Sequence, residues 1–470
     1  MDKALRVAMA GLPVALVLLC LLLAQTMPGY FSNQQFLAGM IFLLILLVTL
    51  WLYDRAFFPF LMIGFLWAGT DIPFAESWTL GRWVVLGAGA LVGFVRAMSA
   101  GLHRFHRFHL VAAFCVVSAL VSAMVSTAPQ FALMKAFSLF LLFLFGASGA
   151  RLVFSNPDRF FRGLLLACEI SVYASLFCYM IVDREIWGNR NSLGAIEGVV
   201  AAPLLLWGAL AATEKSLRIR FGVACVGALY LVYFSITRAA MLAVFVSMLA
   251  LLIGLRRHKL ILQGILAVIC VTAVTAIAAP ARFDEFRTSL VSGVIYKGHE
   301  DQGLLGSRLT PWQEAVHVIQ ENPYFGSGFG TSPSGDKSFG EVGRFASSSV
   351  LREHGSSYLA ITEYVGLLGI LPFALLIVLL IHSVLRVFLW VRHTGSVSHY
   401  SVPIMMVVMA GLIHAGFEDW MFAVGFYLTV LFWTLAFVLV DIMPAPAAYQ
   451  TAVLHGMRFR FVNSAASTQP

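Results

Sequence analysis

Uninterrupted apolar stretches recur from one end of this chain to the other, as in "MIFLLILLVTLWLY", "AFSLFLLFLFGASGA" and "LGILPFALLIVLLIH". Apolar runs of about 17–25 residues are what a bilayer core about 30 Å thick requires of a helix. Inside that core the backbone N–H and C=O groups must be satisfied within the segment itself. The 470 residues are 60% hydrophobic and 11% charged, with 39 Phe and 10 Trp, so no set of soluble domains could keep such a surface wet. The sequence therefore predicts an all-α polytopic membrane protein.

Fourteen spans are expected, at roughly 5–24, 36–53, 57–69, 79–97, 109–126, 131–149, 161–182, 193–212, 219–235, 239–254, 259–279, 357–383, 400–416 and 421–440. Residues 1–279 then hold eleven spans, 280–356 form a long outside loop, 357–440 hold three more, and 441–470 form a tail. The segment Met1 to Ala24, with Lys3 and Arg6, lacks a small-x-small end and reads as an uncleaved first span. "YDRAF", "RAMSAGLHRFHRFH", "ARLVFSNPDRFFR", "ATEKSLRIR", "GLRRHK" and "LRVFLWVRH" all fall between an even-numbered span and the next odd one. The loops "AQTMPGYFSNQQ", "GTDIPFAESW", "TAPQ" and "GFEDWM" carry no Lys or Arg, so both termini are expected in the cytoplasm. The net charge of +8 is thus a topology signal, and without a basic or aromatic-basic module outside the spans a nucleic-acid partner is excluded. All six cysteines fall inside spans, where they suggest packing rather than disulfides or a zinc site. No metal or cofactor is expected.

Arginines on the translocated side break the charge rule and ask for a reason. They are Arg184 and Arg190 in "DREIWGNRNS", Arg238 in "SITRAA" and Arg308 in the long loop, which holds seven Lys/Arg against nine Asp/Glu. Within that loop, "LTPWQEAVHVIQENP" predicts a helix with Thr310 as N-cap, Pro311 at its first position and Gln313 completing a capping box. Its apolar stripe would be Leu309, Trp312, Val316 and Ile319, facing the membrane surface or the bundle. The glycines of "YFGSGFGTSPSG" permit close backbone approach to a ligand, and Ser332 to Ser349 read as a flexible loop. Glu169 and Glu197 lie inside spans, where pairing with an arginine is the expected role. Glu418 and Asp419 in "FEDW" would position acceptor hydroxyls or keep their loop wet.

Four pieces then stand in order: "GNRNSLGAIEG", "SITRAAM", "LGSRLTPWQEAVHVIQENPYFGSGFG" and "EHGSSYLAITEYVGLLGILPF". This order resembles the superfamily of O-antigen ligases and Wzy-type polysaccharide polymerases. Those enzymes show an outside Asn-containing turn, a Ser/Thr-Arg-Gly/Ala turn, a "GR…W…A…I…P…G.G.G" loop and an "HN.YL…E.GLLG" approach to a late span. Gly306, Arg308, Trp312, Ala315, Ile319, Pro323, Gly326, Gly328 and Gly330 match the third pattern. The likeness covers about Gly188 to Val440. It departs at "HGSSY", which replaces His-Asn, and His354 and Glu363 each stand one place away from the pattern when counted from Gly366.

The resemblance implies a multi-pass protein of the bacterial inner membrane, with its active site on the periplasmic face. It would transfer a glycan from an undecaprenyl-diphosphate carrier, most simply by polymerising exopolysaccharide or O-antigen repeats. The departing diphosphate needs preorganised positive charge, which arginine supplies as a permanent bidentate fork. Arg238 is the first candidate for that role; Arg190, Asn191, Arg308, Lys135, Arg184 and Glu363 are candidates for binding substrate. His354 would take the proton of the attacking hydroxyl, giving metal-independent single displacement with inversion. Ligation to lipid A-core or to protein is the alternative within the family, and chain-length-regulating or export proteins are the partners it suggests. A lipid-linked glycan transporter and a non-catalytic export subunit are the rivals from other classes. Against transport, no inverted repeat with matched broken helices is visible, and the arginines gather on one face.

Overall fold

The computed structural model of the protein describes residues 105–153, 157–182, 187, 190–281, 306–331, 354–424 and 426–444, with scattered positions before residue 105. The expected spans at 5–24, 36–53, 57–69 and 79–97, most of the 280–356 loop and the tail beyond 444 lie largely outside the described residues. The described chain is helical and forms no sheet.

Its helices are α1 (Arg107–Met124), α2 (Pro129–Val153), α3 (Pro157–Phe177), α4 (Arg190–Ala211), α5 (Lys215–Phe234), α6 (Arg238–Gly254), α7 (His258–Ala278), α8 (Gly306–Glu321), α9 (Ser357–Thr394), α10 (Ser401–His414) and α11 (Tyr427–Ile442). A π turn, Cys178–Val182, continues α3, and another, Ile196–Ala201, lies inside α4. Among the described residues six helices (α1 to α5 and α9) are long and apolar enough to cross a membrane, while α6, α10 and α11 are apolar but shorter. Pro129 and Pro157 begin α2 and α3, where a missing N–H costs nothing.

Burial separates core helices from lipid-facing ones. α10 and α11 are covered almost all round, as an evenly apolar helix must be when it has neighbours on every side. α11 packs on α2 and α10, α10 on α6, and α9 on α1. By contrast α3, α5 and α9 expose Leu166, Ile170, Val223, Val226, Leu371 and Val378. Exposed apolar faces on several spanning-length helices mark a multi-pass membrane protein.

Three boundaries differ from expectation. α9 runs to Thr394 rather than ending near residue 383, because Arg392 and His393 suit the negative end of its dipole and Gly395, at φ 64°, caps it. α11 starts at Tyr427 rather than at 421. The apolar residues Trp420, Met421 and Phe422 form a buried turn, so they are apolar for packing rather than for spanning. α8 begins at Gly306, one turn before the expected cap, and holds Pro311 inside it. Contacts from Arg308 and Trp312 to distant segments hold that extra turn and override the local capping preference.

α9 is broken at Gly366, whose φ of 68° and ψ of 179° lie outside helical space. The break frees the carbonyls of Glu363 and Tyr364, and a second chain segment satisfies them. Ser327 N–H donates to Glu363 O at 2.9 Å and Gly328 N–H to Tyr364 O at 3.2 Å. In return Leu367 and Leu368 donate to the carbonyls of Pro323 and Tyr324, at 2.7 and 3.2 Å. The two backbones run so close that a Cβ on Gly326 or on Gly366 would lie 2.5 Å from backbone atoms of the other. Of the glycines in "FGSGFG", Gly326 lies against the α9 backbone and Gly328 donates to it, while a Cβ on Gly328 would meet Ser126 and one on Gly330 would meet the Lys135 side chain.

Candidate active site

Segments far apart in sequence meet at one end of the bundle. The first junction joins the start of α4 to the turn before α6. The Thr237 hydroxyl lies 3.3 Å from the Arg190 carbonyl and 3.4 Å from the Asn191 side-chain oxygen. Gly194 makes room for this: a Cβ there would sit 2.6 Å from Ser235 Oγ. Ile236 takes φ 56°, a left-handed conformation that a β-branched residue adopts only when its surroundings hold it. The Ser235 side chain accepts the Thr237 N–H at 3.2 Å and so braces that turn. Arg190 sets its guanidinium 5.7 Å from the Phe234 ring centre.

This turn delivers Arg238 to the first position of α6. A cation at a helix N-terminus adds to the positive end of the dipole, which is unfavourable for stability and favourable for an anion. Arg308, from the first turn of α8, acts on Arg238 with its own positive charge, so the two arginines share one electrostatic neighbourhood.

Arg308 is ion-paired with Glu418. The Trp312 indole N–H donates to the Gly355 carbonyl at 3.1 Å, and Gly355, at φ 64°, lets the backbone lie against the Arg308 side chain. These contacts fix α8 across the residues that precede α9. The buried side of α8 carries Ala315 and Val318, whereas Leu309 and Val316 of the expected stripe are exposed. Arg308 and Trp312 turn the helix toward the site and carry those two outward.

The imidazole of His354 is fully buried between two carboxylates. Nδ1 lies 3.1 Å from Asp419 Oδ2, and Nε2 lies 3.2 Å from Glu363 Oε1. The His354 backbone N–H also donates to Asp419 Oδ2, at 3.0 Å. Burial alone would lower the pKa of the ring, but hydrogen bonds to Asp419 and Glu363, with their charges, outweigh it and raise it. Burial pushes the Asp419 carboxyl upward, and the side-chain and backbone bonds to His354 overcome that and hold it low. The one-place offset of Glu363 against Gly366 falls at the break in α9.

Both carboxylates of "FEDW" thus engage site residues, Glu418 with Arg308 and Asp419 with His354, rather than only keeping their loop wet. Their turn docks on the start of α9: Ser357 N–H bonds the carbonyls of Ala415 and Glu418 at 2.8 and 3.0 Å, and its hydroxyl donates to Glu418 O at 2.6 Å.

Not every candidate joins this cluster. Lys135 lies along Gly330, where a Cβ would meet its side chain at 3.0 Å, and its amine stands 5.2 Å from the Phe131 ring centre. Arg184 is outside the described residues. Glu169 does pair with an arginine, but with Arg220, whose Nε and terminal N–H reach its two oxygens at 2.7 and 2.5 Å. Arg220 sits near the end of α5 remote from Ser235. Glu197 takes the Ser171 hydroxyl at 2.8 Å in place of an arginine.

His414 was not among the candidates and is the residue the sequence reading missed. It ends α10, is 2% exposed, and its Nδ1 accepts the Trp420 indole N–H at 2.8 Å. The available signal was a polar ring at the end of an apolar run, four residues before Glu418.

Residues 223–374 match the family model described as O-antigen ligase. That range takes in Arg238, Arg308, His354 and Glu363; Arg190, Asn191 and Asp419 lie outside it. No curated protein matches the chain. Over residues 223–374, about a third of the chain, the protein is thus similar to the O-antigen ligase family, which supports the resemblance carried by its motifs.

Proposed function

We propose that the protein is a glycosyltransferase at the periplasmic face of the bacterial inner membrane, drawing on an undecaprenyl-diphosphate-linked glycan and polymerising exopolysaccharide or O-antigen repeat units. The observation that supports this best is the imidazole of His354 held between Asp419 and Glu363 beside the turn that pairs with Arg308. Arg238 and Arg308 receive the diphosphate, and Arg190 with Asn191 lines the approach. The acceptor hydroxyl attacks the anomeric carbon from the face opposite the phosphate. The new C–O bond forms as the sugar–phosphate bond breaks, the phosphate leaves with the electron pair, and the configuration inverts. The diphosphate is already a good leaving group, so its charge has to be stabilised and its oxygen need not be protonated.

The hydroxyl proton goes to His354. Asp419 fixes Nδ1 as the protonated nitrogen and leaves Nε2 as the acceptor. Because Nε2 faces Glu363, the hydroxyl reaches it by replacing that contact. General-base help of this kind is typically worth about 10²–10⁴ in rate.

Ligation of the glycan to lipid A-core is a second reading, favoured by the description of the matching family. Purified protein given a lipid-diphosphate glycan separates the readings. Released undecaprenyl diphosphate with lengthening glycan supports polymerisation, and release only when lipid A-core is supplied supports ligation. Movement of the glycan across a vesicle without bond cleavage would replace both with transport.

A further inference from the structure

The tautomer of His414 is set by its neighbour. An indole N–H can only donate, so the bond from Trp420 to Nδ1 at 2.8 Å requires Nδ1 to be the bare nitrogen and Nε2 to carry the hydrogen. The ring is 2% exposed, and Nε2 finds no hydrogen-bond partner among the described residues. A buried donor left without a bond is costly and calls for a partner.

The surroundings say what would bond it. The positive charge of Arg308 acts on the His414 ring as it does on Arg238. His414 also begins the turn that sends Glu418 to Arg308 and Asp419 to His354, and Ala415, the next residue, accepts the first N–H of α9. A donor-only nitrogen in a cationic neighbourhood suits an oxygen that carries negative charge. We infer that Nε2–H of His414 donates a hydrogen bond to a diphosphate oxygen of the lipid-linked donor, acting as a substrate-binding residue beside Arg308. This deepens the function proposed above and rests on it.

Two substitutions separate this role from a structural one. Asparagine puts a carbonyl oxygen near the place of Nδ1 and keeps the Trp420 bond, but has no donor at Nε2. Glutamine carries an amide N–H to the place of Nε2. Binding of undecaprenyl diphosphate, the sugar-free carrier, to the full chain is measured by native mass spectrometry from lipid nanodiscs. His414→Asn should weaken it roughly fivefold or more, and His414→Gln should stay within about threefold. Tighter binding by His414→Asn than by His414→Gln would assign the ring to Trp420 packing and overturn the inference. Equal binding by both variants and the unmodified chain would also overturn it while leaving the proposed function standing. No retention of the carrier by the unmodified chain would remove both. A measurement on the unmodified chain covers the case of variants that do not fold. With 15N-labelled histidine, one Nε2–H resonance should move when the carrier is added, and an unchanged set of histidine resonances in carrier-bound protein would defeat the inference.

Discussion

Glu418 and Asp419 are consecutive residues whose carboxylates serve different partners, Arg308 of α8 and His354 at the start of α9. One short turn therefore places both the cation proposed for the phosphates and the imidazole proposed for the proton. A shift of the turn would move the two together.

The first consequence concerns pH. As a base, His354 works in its neutral form, and the two carboxylates raise its pKa. The rate of glycan transfer should therefore climb with pH along a limb centred above about 6.5, the ordinary histidine value. Asp419→Asn removes one of the raising partners, so it should shift that limb to lower pH as well as reduce the rate by about 10- to 100-fold. Initial rates from pH 5.5 to 9 decide this. A rate that falls across the same range would instead make the imidazolium a fixed charge.

Stability should follow the same ionisations. A raised histidine pKa contributes stability that is present below about 6.5 and is lost as pH rises through the folded value. A depressed Asp419 pKa contributes stability present above about 3.9 and lost as pH falls through its folded value. Docking of the 414–421 turn should thus be firmest between roughly pH 4 and 6.5. Hydrogen exchange of the Ser357 amide across that window is the readout.

Arg308→Gln should cost activity and also strand the Glu418 carboxylate, which is 16% exposed. Loss of one partner of a partly covered pair is expected to destabilise by about 1–3 kcal/mol. Adding Glu418→Gln removes the stranded charge and should restore much of the thermal stability without restoring transfer. Recovery of transfer in the double variant would show that the pair is structural only.

Glycines at the α9 break should divide by contact. Gly326→Ala and Gly366→Ala combine a left-handed backbone with a Cβ 2.5 Å from opposing backbone atoms, so folded yield in detergent should collapse. Gly395→Ala has the same sign of φ, at 64°, and open space around it. It should cost only about 1 kcal/mol, visible as a small drop in Tm.

Ile236→Gly should relieve the left-handed strain and leave Tm unchanged or raised, since about 1–2 kcal/mol of conformational penalty is removed against some entropy lost. Activity should fall if the stiffness of that turn aims Arg238. Equal activity would mean that the strain serves the fold alone.

Much of the described frame was legible in advance. Apolar runs located α1 to α7 to within a few residues, because a buried or lipid-facing helix needs little besides continuous hydrophobicity. Arg238 and Arg308 stood out as charge expected on the translocated side, and His354 through the order of motifs in the resemblance. The partners were not. Glu418 lies 110 residues from Arg308 and Asp419 lies 65 from His354, so only tertiary structure could join them. Hydrophobicity also misled at Met421 and Phe422, since a buried turn and a spanning helix share that composition.

The exchanged backbone bonds at Gly366 have a consequence for biogenesis. While the ribosome and translocon insert α9, its interruption has the backbone of Pro323 to Gly328 to bond to, together with the Ser122 hydroxyl of α1, which donates to the Tyr364 carbonyl at 2.5 Å. Assembly of the late helices should therefore wait on these earlier segments, and a chain in which they are displaced would hold α9 as a longer, straighter rod with His354 swung away from Asp419.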